Sequence, residues 1–332
     1  MSLYSKNANM KILITGAAGF IGANLCEYML TKGYDVIGLD NYATGFKDNI
    51  ISYLDHPNFQ FIKGDIRSLK TFTKASEGVD CILHQAALGS VPRSIKDPLT
   101  SNEVNINGFL NLLEAAKVNQ VKRIVYAASS STYGDSKVLP KTEDVIGKPL
   151  SPYAVTKYVN ELYADVFAKT YGMELIGLRY FNVFGRRQTP KGAYAAVIPK
   201  FIAQFLKGES PVINGDGSYS RDFTYIDNVI QMNYLAMTTK NPDAVNQVYN
   251  TALGDRITIK EMAEAIKTGL TKYKKEVAKI PLQFGPERLG DVPHSQASIE
   301  KAKKLLNYSP THTFEEGIEA SLEWYFTKLN IV

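Results

Sequence analysis

Met10-Lys-Ile-Leu-Ile-Thr15-Gly16-Ala-Ala-Gly19-Phe-Ile-Gly22 joins a short β-rich run to three glycines that open a helix. Each glycine answers a physical demand: a tight turn, close approach of backbone N–H groups to a pyrophosphate, and close helix–strand packing. Asp40 closes the second β-rich run, 18 residues beyond Gly22. A carboxylate there can accept both hydroxyls of an adenine ribose. No arginine follows closely; the chain continues Asn41-Tyr-Ala-Thr44-Gly45. A 2′-phosphate would meet a negative charge and no partner, so the segment predicts NAD rather than NADP. Asp65, in Gly64-Asp-Ile66, is placed to accept from the adenine amine, and the small residues of Gln85-Ala-Ala87 leave room for a cofactor to cross the sheet edge.

The same alternation continues outward. Apolar, β-rich runs at 10–15, 34–40, 59–63, 80–84, 121–127 and 174–180 are separated by stretches long enough for crossover helices. Residues 105–117, with Ile106, Phe109, Leu110 and Leu113, form the clearest helical pattern. Continuous rather than alternating runs indicate parallel strands buried on both faces. The expectation is an α/β fold, a Rossmann-type doubly wound parallel sheet. Beyond about residue 181 Pro and Gly become dense, and helices are expected at 197–206, 227–237, 259–270 and 314–327. We expect an NAD-binding domain over 1–180, rejoined by 226–254 through a strand at 248–252. A smaller, partly interleaved α/β substrate domain is expected over 181–225 and 255–332.

Composition excludes several classes. The 332 residues are 45% hydrophobic and 21% charged, enough for a large core. A net charge of +5 suits small anionic ligands and is too weak for a nucleic-acid footprint. Lys301, Lys303 and Lys304 read as a solvated helix face. Cys26 and Cys81 have neither disulfide nor metal spacing, and His56, His84, His294 and His312 have no ligand pattern, so no metal is expected. No apolar run approaches the ~20 residues of a membrane span, and residues 1–9 are polar. The expectation is a cytoplasmic protein.

A second constellation suggests chemistry. Tyr-x-x-x-Lys occurs as Tyr28/Lys32, Tyr133/Lys137 and Tyr153/Lys157. The first pair sits at the end of the helix after the glycines, where packing and a C-terminal cation explain it. The second straddles the turn signal Gly134-Asp135. Only the third has a helix start, with Ser151 as N-cap, Pro152 at the first helical position, and Val155, Val159, Leu162 and Val166 as an apolar stripe. A tyrosine titrates near ~10, so a base useful at neutral pH needs about 4 kcal/mol of help. An ammonium at about 4 Å supplies roughly that at an effective dielectric of ~20. Lys157 is therefore expected to lower the pKa of Tyr153. The hydroxyls of Ser129-Ser-Ser-Thr-Tyr-Gly134 follow the fifth run, at the same sheet edge.

Together these motifs resemble the extended short-chain dehydrogenase/reductase family over nearly the whole chain. Arg179-Tyr-Phe-Asn-Val183 and Arg288-x-Gly-Asp-Val292 add to the likeness. Within the family the chain is most similar to UDP-sugar 4-epimerases. Gln85-Ala-Ala-Leu-Gly-Ser-Val-Pro-Arg-Ser94, Ala127-Ala-Ser-Ser-Ser-Thr-Tyr-Gly-Asp135 and Gly192-Ala-Tyr-Ala-Ala-Val-Ile-Pro199 resemble the bacterial branch acting on UDP-N-acetylglucosamine and UDP-N-acetylgalactosamine.

The resemblance implies roles. Tyr153 would take the C4 hydroxyl proton while C4 gives hydride to NAD⁺, Lys157 would bind the nicotinamide ribose, and Ser129 or Ser130 would orient the hydroxyl. Cofactor contacts would also come from Phe20, Ile21, Asn41, Thr44, Gly45, Ile66 and Tyr180. Substrate contacts would come from Ser90, Asn182, Ala196, Val197, Val212, Ile213, Asn214, Arg221, Arg288, Asp291 and Ser295. A small residue at Ser295 would leave room for an N-acetyl group where epimerases of plain sugars carry Tyr. Pro293 departs from the Arg expected in that branch. A homodimer through residues 105–117 and 152–170 is implied as well, the pathway being supply of surface polysaccharide precursors. Rival readings are a uronate 4-epimerase or decarboxylase, with Ser90 or Arg93 receiving the carboxylate, and a non-catalytic NAD sensor. A 4,6-dehydratase would need a carboxylate beside the catalytic hydroxyl, which Ser129-Ser-Ser131 does not offer.

Overall fold

The computed structural model describes residues 10–191, 195–287 and 292–329. The chain divides into two compact units. The first comprises residues 1–134, 148–179 and 233–248, and the second comprises 135–147, 180–232 and 249–332. Residues 135–147 thus cluster with the second unit, although they fall inside the 1–180 span expected for the first domain.

The first unit begins with strand β1 (Lys11–Thr15), helix α1 (Phe20–Thr31) and strand β2 (Asp35–Asp40). Strand β3 (Phe59–Lys63), helix α2 (Leu69–Ala75) and strand β4 (Cys81–His84) follow. Two short helices, α3 (Val91–Lys96) and α4 (Pro98–Asn102), lead through a π-helical turn at Glu103–Asn107 into α5 (Gly108–Val118). Strand β5 (Arg123–Ser129), helix α6 (Pro152–Tyr171) and strand β6 (Glu174–Tyr180) complete the series. The seven-stranded sheet runs in the order Val248–Thr251, β6, β5, β4, β1, β2, β3. Pairs β1–β2, β2–β3, β1–β4 and β4–β5 are all parallel.

The continuous apolar runs have the burial expected of such a sheet. Ile12, Leu13 and Ile14 of β1, and Ile82 and Leu83 of β4, are fully buried. Leu13, Leu39, Ile82 and Ile124 meet Phe72 of α2 and Phe109, Leu112 and Leu113 of α5 in one core. Helix ends follow local chemistry. The Ser151 hydroxyl accepts from Ala154 N at 3.1 Å, Pro152 takes the first position, and α6 stops at Gly172 in the left-handed region (φ 65°). The fifth strand starts and ends two residues later than its apolar run suggested. Gln120 turns the chain at φ 57°, and the strand continues to Ser129, which therefore ends β5 rather than following it.

In the second unit, helices Val197–Lys207, Ile259–Thr271 and Phe314–Leu329 lie close to their expected spans. A capping box between Thr258 and Glu261 starts the second of these. Strand Val212–Asn214 pairs in parallel with Gln283–Gly285, and Phe184, Phe223, Tyr225 and Phe314 form an aromatic cluster. Among the described residues no helix is long and apolar enough to cross a membrane, and no group of His, Cys, Asp and Glu could hold a metal ion. Neither cysteine is in a disulfide.

Candidate active site

A cavity of about 390 Å³ opens at the carboxyl ends of β1 to β4. Of the expected cofactor residues, Gly16, Gly19, Phe20, Ile21, Gly22, Asp40, Asn41, Thr44, Asp65, Ile66, Gln85, Ala86 and Ala87 line it. The glycines are there because nothing larger fits. A Cβ on Gly22 would stand 2.0 Å from Gly16 O, and one on Gly16 would stand 2.9 Å from Ala86 N. Gly45 lies outside the lining but packs on the same loop, where a Cβ would sit 2.7 Å from Ala18 C. Gly19 is the N-cap of α1 and offers no side chain to the first turn. The amides of that turn are therefore available to an anion at the positive end of the helix.

The ribose end is held equally firmly. Asp40 accepts from Ala18 N at 3.0 Å and from Tyr42 N at 2.7 Å. Burial pushes its carboxyl up, and the backbone N–H groups oppose that. Thr15 Oγ1 accepts from Gln85 N and Ala86 N and lies 2.8 Å from His84 Nδ1. Those bonds fix the small-residue loop beside Gly16. A nucleotide with a pyrophosphate and an unphosphorylated ribose fits this donor and acceptor set. The lining also contains Arg67, Thr100 and Val104, which the sequence reading missed. Arg67 forms a bidentate pair with Asp65, by Nε at 3.0 Å and a terminal nitrogen at 2.8 Å, and reaches Glu103 at 3.3 Å. The arginine holds Asp65 down to about 2. No sequence rule links positions 67 and 103, since only folding brings them together.

Ser129, Tyr153 and Lys157 stand beyond that lining, at the end of β5 and the start of α6. Ser129 stands close enough to Tyr153 for its hydroxyl to favour the phenolate form of the tyrosine. Ser129 Oγ accepts from Ser131 N at 3.2 Å and from Ser131 Oγ at 2.9 Å, which leaves its own proton for the tyrosine oxygen. Ser130 follows in the 3-10 turn Ser130–Tyr133. Lys157 is buried one helical turn after Tyr153 and donates to Ala127 O at 2.8 Å. The electrostatics correct the expectation for this pair. In the protein alone burial pushes the Tyr153 phenol up, opposed by Ser129, and Lys157 is not among the groups acting on it. Burial also pushes Lys157 down to about 8, opposed by Glu161. Both groups are driven toward their neutral forms because burial withholds the solvation that their charged forms need.

The other two Tyr-x-x-x-Lys spacings carry no such site. Lys32 lies over the Tyr28 ring at 5.3 Å, and Tyr133 ends a 3-10 turn at Gly134. Of the stripe Val155, Val159, Leu162 and Val166, only Val159 is partly buried; the other three are about half exposed on the outer side of α6 and do not hold the helix to the sheet.

Two further positioning residues were not found from sequence. Asn105 is buried in the π-helical turn. It accepts from Leu88 N at 2.7 Å and donates to Leu88 O and to Thr156 Oγ1, each at 3.1 Å. Thr156 Oγ1 in turn donates to Tyr153 O at 2.8 Å. Ser94 is fully buried, and its hydroxyl accepts from Tyr153 N at 3.0 Å. The preceding Ser90 caps α3 at φ 106°, a strained conformation for a non-glycine residue. A polar residue inside an apolar helical pattern, as Asn105 is, was the available signal.

The second unit carries Tyr180, Asn182, Ala196, Val197, Val212, Ile213, Asn214, Arg221 and Ser295. Asn182 has φ 33°, and its amide donates to Asp222 O at 2.9 Å. Arg221 donates to Ser220 O at 2.9 Å and to Pro293 O at 3.1 Å, and Ser295 N donates to Ser220 O at 3.0 Å. Arg221, Pro293 and Ser295 are thus neighbours, although 72 residues separate the first two. Asp222 clamps this region, accepting from Leu253 N, Gly254 N and Ala297 N. Arg288 and Asp291 lie outside the described residues.

Residues 12–252 match the NAD dependent epimerase/dehydratase family. A UDP-glucose 4-epimerase of Mycolicibacterium smegmatis is 33% identical over 96% of this chain and 99% of its own. Among solved structures, a UDP-N-acetylglucosamine 4-epimerase from Methanobrevibacter ruminantium, in complex with UDP-N-acetylmuramic acid, is 36% identical with a TM-score of 0.89. That match covers 96% of this chain and 99% of the other. A UDP-glucuronic acid 4-epimerase from Bacillus cereus, in complex with UDP-glucuronic acid and NAD, is 34% identical with a TM-score of 0.84, covering 96% and 99%. With its glycine loop, its ribose carboxylate and matches over nearly its full length, the chain belongs to the NAD dependent epimerase/dehydratase family.

Proposed function

We propose that this chain is a UDP-sugar 4-epimerase that interconverts UDP-N-acetylglucosamine and UDP-N-acetylgalactosamine through a 4-keto sugar. The carrying observation is that Ser129 at the end of β5 and Tyr153 and the buried Lys157 on the first turns of α6 come together, with Lys157 Nζ tied to Ala127 O of β5 at 2.8 Å. C4 of a hexose has no acidic hydrogen, so inversion there requires temporary oxidation. A dinucleotide held by the Gly16–Gly22 loop and Asp40 would supply a hydride acceptor that also gives the hydride back, so no net redox change would result. Tyr153 receives the C4 hydroxyl proton and later gives it back. Ser129 orients that hydroxyl and donates to the tyrosine oxygen, favouring the phenolate. Lys157 spends one N–H on Ala127 O and has others for a ribose hydroxyl. Residues 129–134 offer hydroxyls and no carboxylate, which argues against a dehydratase.

The second unit is proposed to bind the nucleoside diphosphate and sugar through Asn182, Ala196, Val197, Val212, Ile213, Asn214 and Arg221. Ser295 is proposed to leave space for the N-acetyl group. The likeness to the Methanobrevibacter enzyme supports that choice of sugar. The exposed Val155, Leu162 and Val166 support a homodimer through α6. A reducing, cytoplasmic setting is the proposed location.

The test is to incubate the purified protein, without added NAD, with UDP-N-acetylglucosamine, UDP-glucose and UDP-glucuronic acid in parallel. Formation of UDP-N-acetylgalactosamine is expected. An oxidised or dehydrated product would overturn epimerisation, and conversion of UDP-glucuronic acid alone would select the uronate reading. Ser295→Tyr should suppress turnover of the N-acetyl sugar and spare UDP-glucose; equal loss on both would refute its role.

A further inference from the structure

We propose that the buried Glu161–Arg179 pair sets the charge of Lys157, with Glu161 holding the ammonium cationic and Arg179 limiting how strongly it does so. The proposal rests on the catalytic reading of Tyr153 and Lys157. Glu161 follows Lys157 by four residues in α6, so the two lie on one helical face. Both are buried. Arg179, from β6, closes a bidentate fork on Glu161, with Nε to Oε1 at 2.9 Å and a terminal nitrogen to Oε2 at 2.7 Å. The pair is 4% and 7% exposed, so both ions have given up their hydration, and removing either partner leaves the other as an uncompensated buried charge.

The surroundings aim this pair at the site. Thr132, from the turn that follows Ser129, reaches Glu161 Oε1 at 3.5 Å, and the guanidinium lies 4.8 Å from the Tyr133 ring centre. Glu161 therefore touches the turn that follows Ser129 and, through Arg179, strand β6, and it is the group opposing the desolvation of Lys157.

Other groups around Lys157 cannot take over that task. His84 on β4 is buried and held down to about 3, so it is neutral across the working range. Tyr126 on β5 is fully buried and pushed well above its usual range. Tyr153 is pushed up as well. Arg93 and Lys96 on α3, Asp97 between α3 and α4, Glu103 in the π turn, and Glu114 and Lys117 on α5 are half-buried or exposed. Asp165, one turn beyond Glu161, pairs with Lys169 at the surface.

The two partners have opposite signs, and that supplies the test. Neutralising Glu161 removes an attractive charge, so Lys157 loses its proton at lower pH. Neutralising Arg179 leaves Glu161 uncompensated, so Lys157 keeps its proton to higher pH. The alkaline limb of kcat should be compared in wild type, Glu161→Gln and Arg179→Gln, with thermal melting and NAD content recorded for each. Glu161→Gln should move the limb down by about one pH unit, which lowers turnover roughly fivefold at pH 8. Arg179→Gln should move it up. Glu161→Asp, which keeps the charge, should lower Tm while leaving the limb near its wild-type position, and it serves if either neutral variant fails to fold. Limbs that move in the same direction for both neutral variants, or an Asp variant that shifts as far as the Gln variant, would overturn the proposal. A Tyr153→Phe enzyme that keeps full activity would instead overturn the catalytic reading beneath it.

Discussion

Gly22→Ala tests the cofactor cradle at its tightest point. The added methyl carbon would lie 2.0 Å from Gly16 O, 2.6 Å from Gly16 C and 3.1 Å from Ala17 Cα. All three are backbone atoms, so no side chain can rotate away. Restoring ordinary contact of about 3.4 Å needs a shift of roughly 1.4 Å between the glycine turn and α1. Overpacking of this kind costs about 1–3 kcal/mol, which should lower Tm by roughly 2–6 °C. The shift also pulls the first-turn amides of α1 off the position a pyrophosphate would occupy. Losing two charge-assisted hydrogen bonds at ~1.5 kcal/mol each weakens NAD binding by about 100-fold. The assay is NAD content as purified, NAD affinity of stripped protein by calorimetry, and Tm. Gly89→Ala is the control, because a Cβ there meets nothing within 4 Å and should leave Tm unchanged. A Gly22→Ala protein with wild-type Tm and NAD affinity would refute the reasoning.

Tyr153→Phe removes the phenol but keeps the ring, so turnover should fall at least ~100-fold while NAD affinity stays unchanged, as equilibrium titration would show. Asn105→Ala strips three hydrogen bonds and leaves Leu88 N and O without that partner. A loss of about 2–3 kcal/mol in urea unfolding is expected, with a lower kcat because Thr156 loses a donor beside Tyr153. Arg67→Ala should let Asp65 titrate nearer its ordinary value. Its folded pKa is depressed, so its contribution to stability is present above pH ~3.9 and lost as pH falls toward 2. Acid unfolding of the variant should therefore begin at slightly higher pH, by a small amount because Arg67 is 43% exposed. Leu162→Glu combined with Val166→Glu places charge on the exposed stripe of α6 and should yield a monomer by sedimentation, with the far-UV circular dichroism unchanged.

The sheet was legible in the sequence because its signals are local. Continuous apolar runs report two-sided burial, and three glycines at fixed spacing report a strand, a turn and a helix within thirteen residues. Asp40 and the Ser151-Pro152 start of α6 are equally local, since a strand end and a helix cap need only their immediate neighbours. The cofactor edge of the sheet followed from these. Distances between elements were not legible. Arg67 with Glu103, Asn105 with Leu88 and Thr156, and Glu161 with Arg179 are pairs that share no periodicity, and only packing brings them together.

The stripe on α6 shows the other limit. Apolar periodicity at Val155, Leu162 and Val166 marked the helix correctly but not which face it buries. The inward face instead holds Ala154, Thr156, Lys157, Asn160, Glu161 and Ala164. From the sequence alone came the fold, the nucleotide edge and the identity of Ser129, Tyr153 and Lys157 as candidates, because strand periodicity, glycine geometry and helix capping act over a few residues. Their protonation was decided only by the tertiary structure, because burial depends on every element packed around a group. There desolvation, rather than the nearby ammonium, sets Tyr153, and a carboxylate from the next turn of the helix, held by an arginine of the neighbouring strand, supports Lys157.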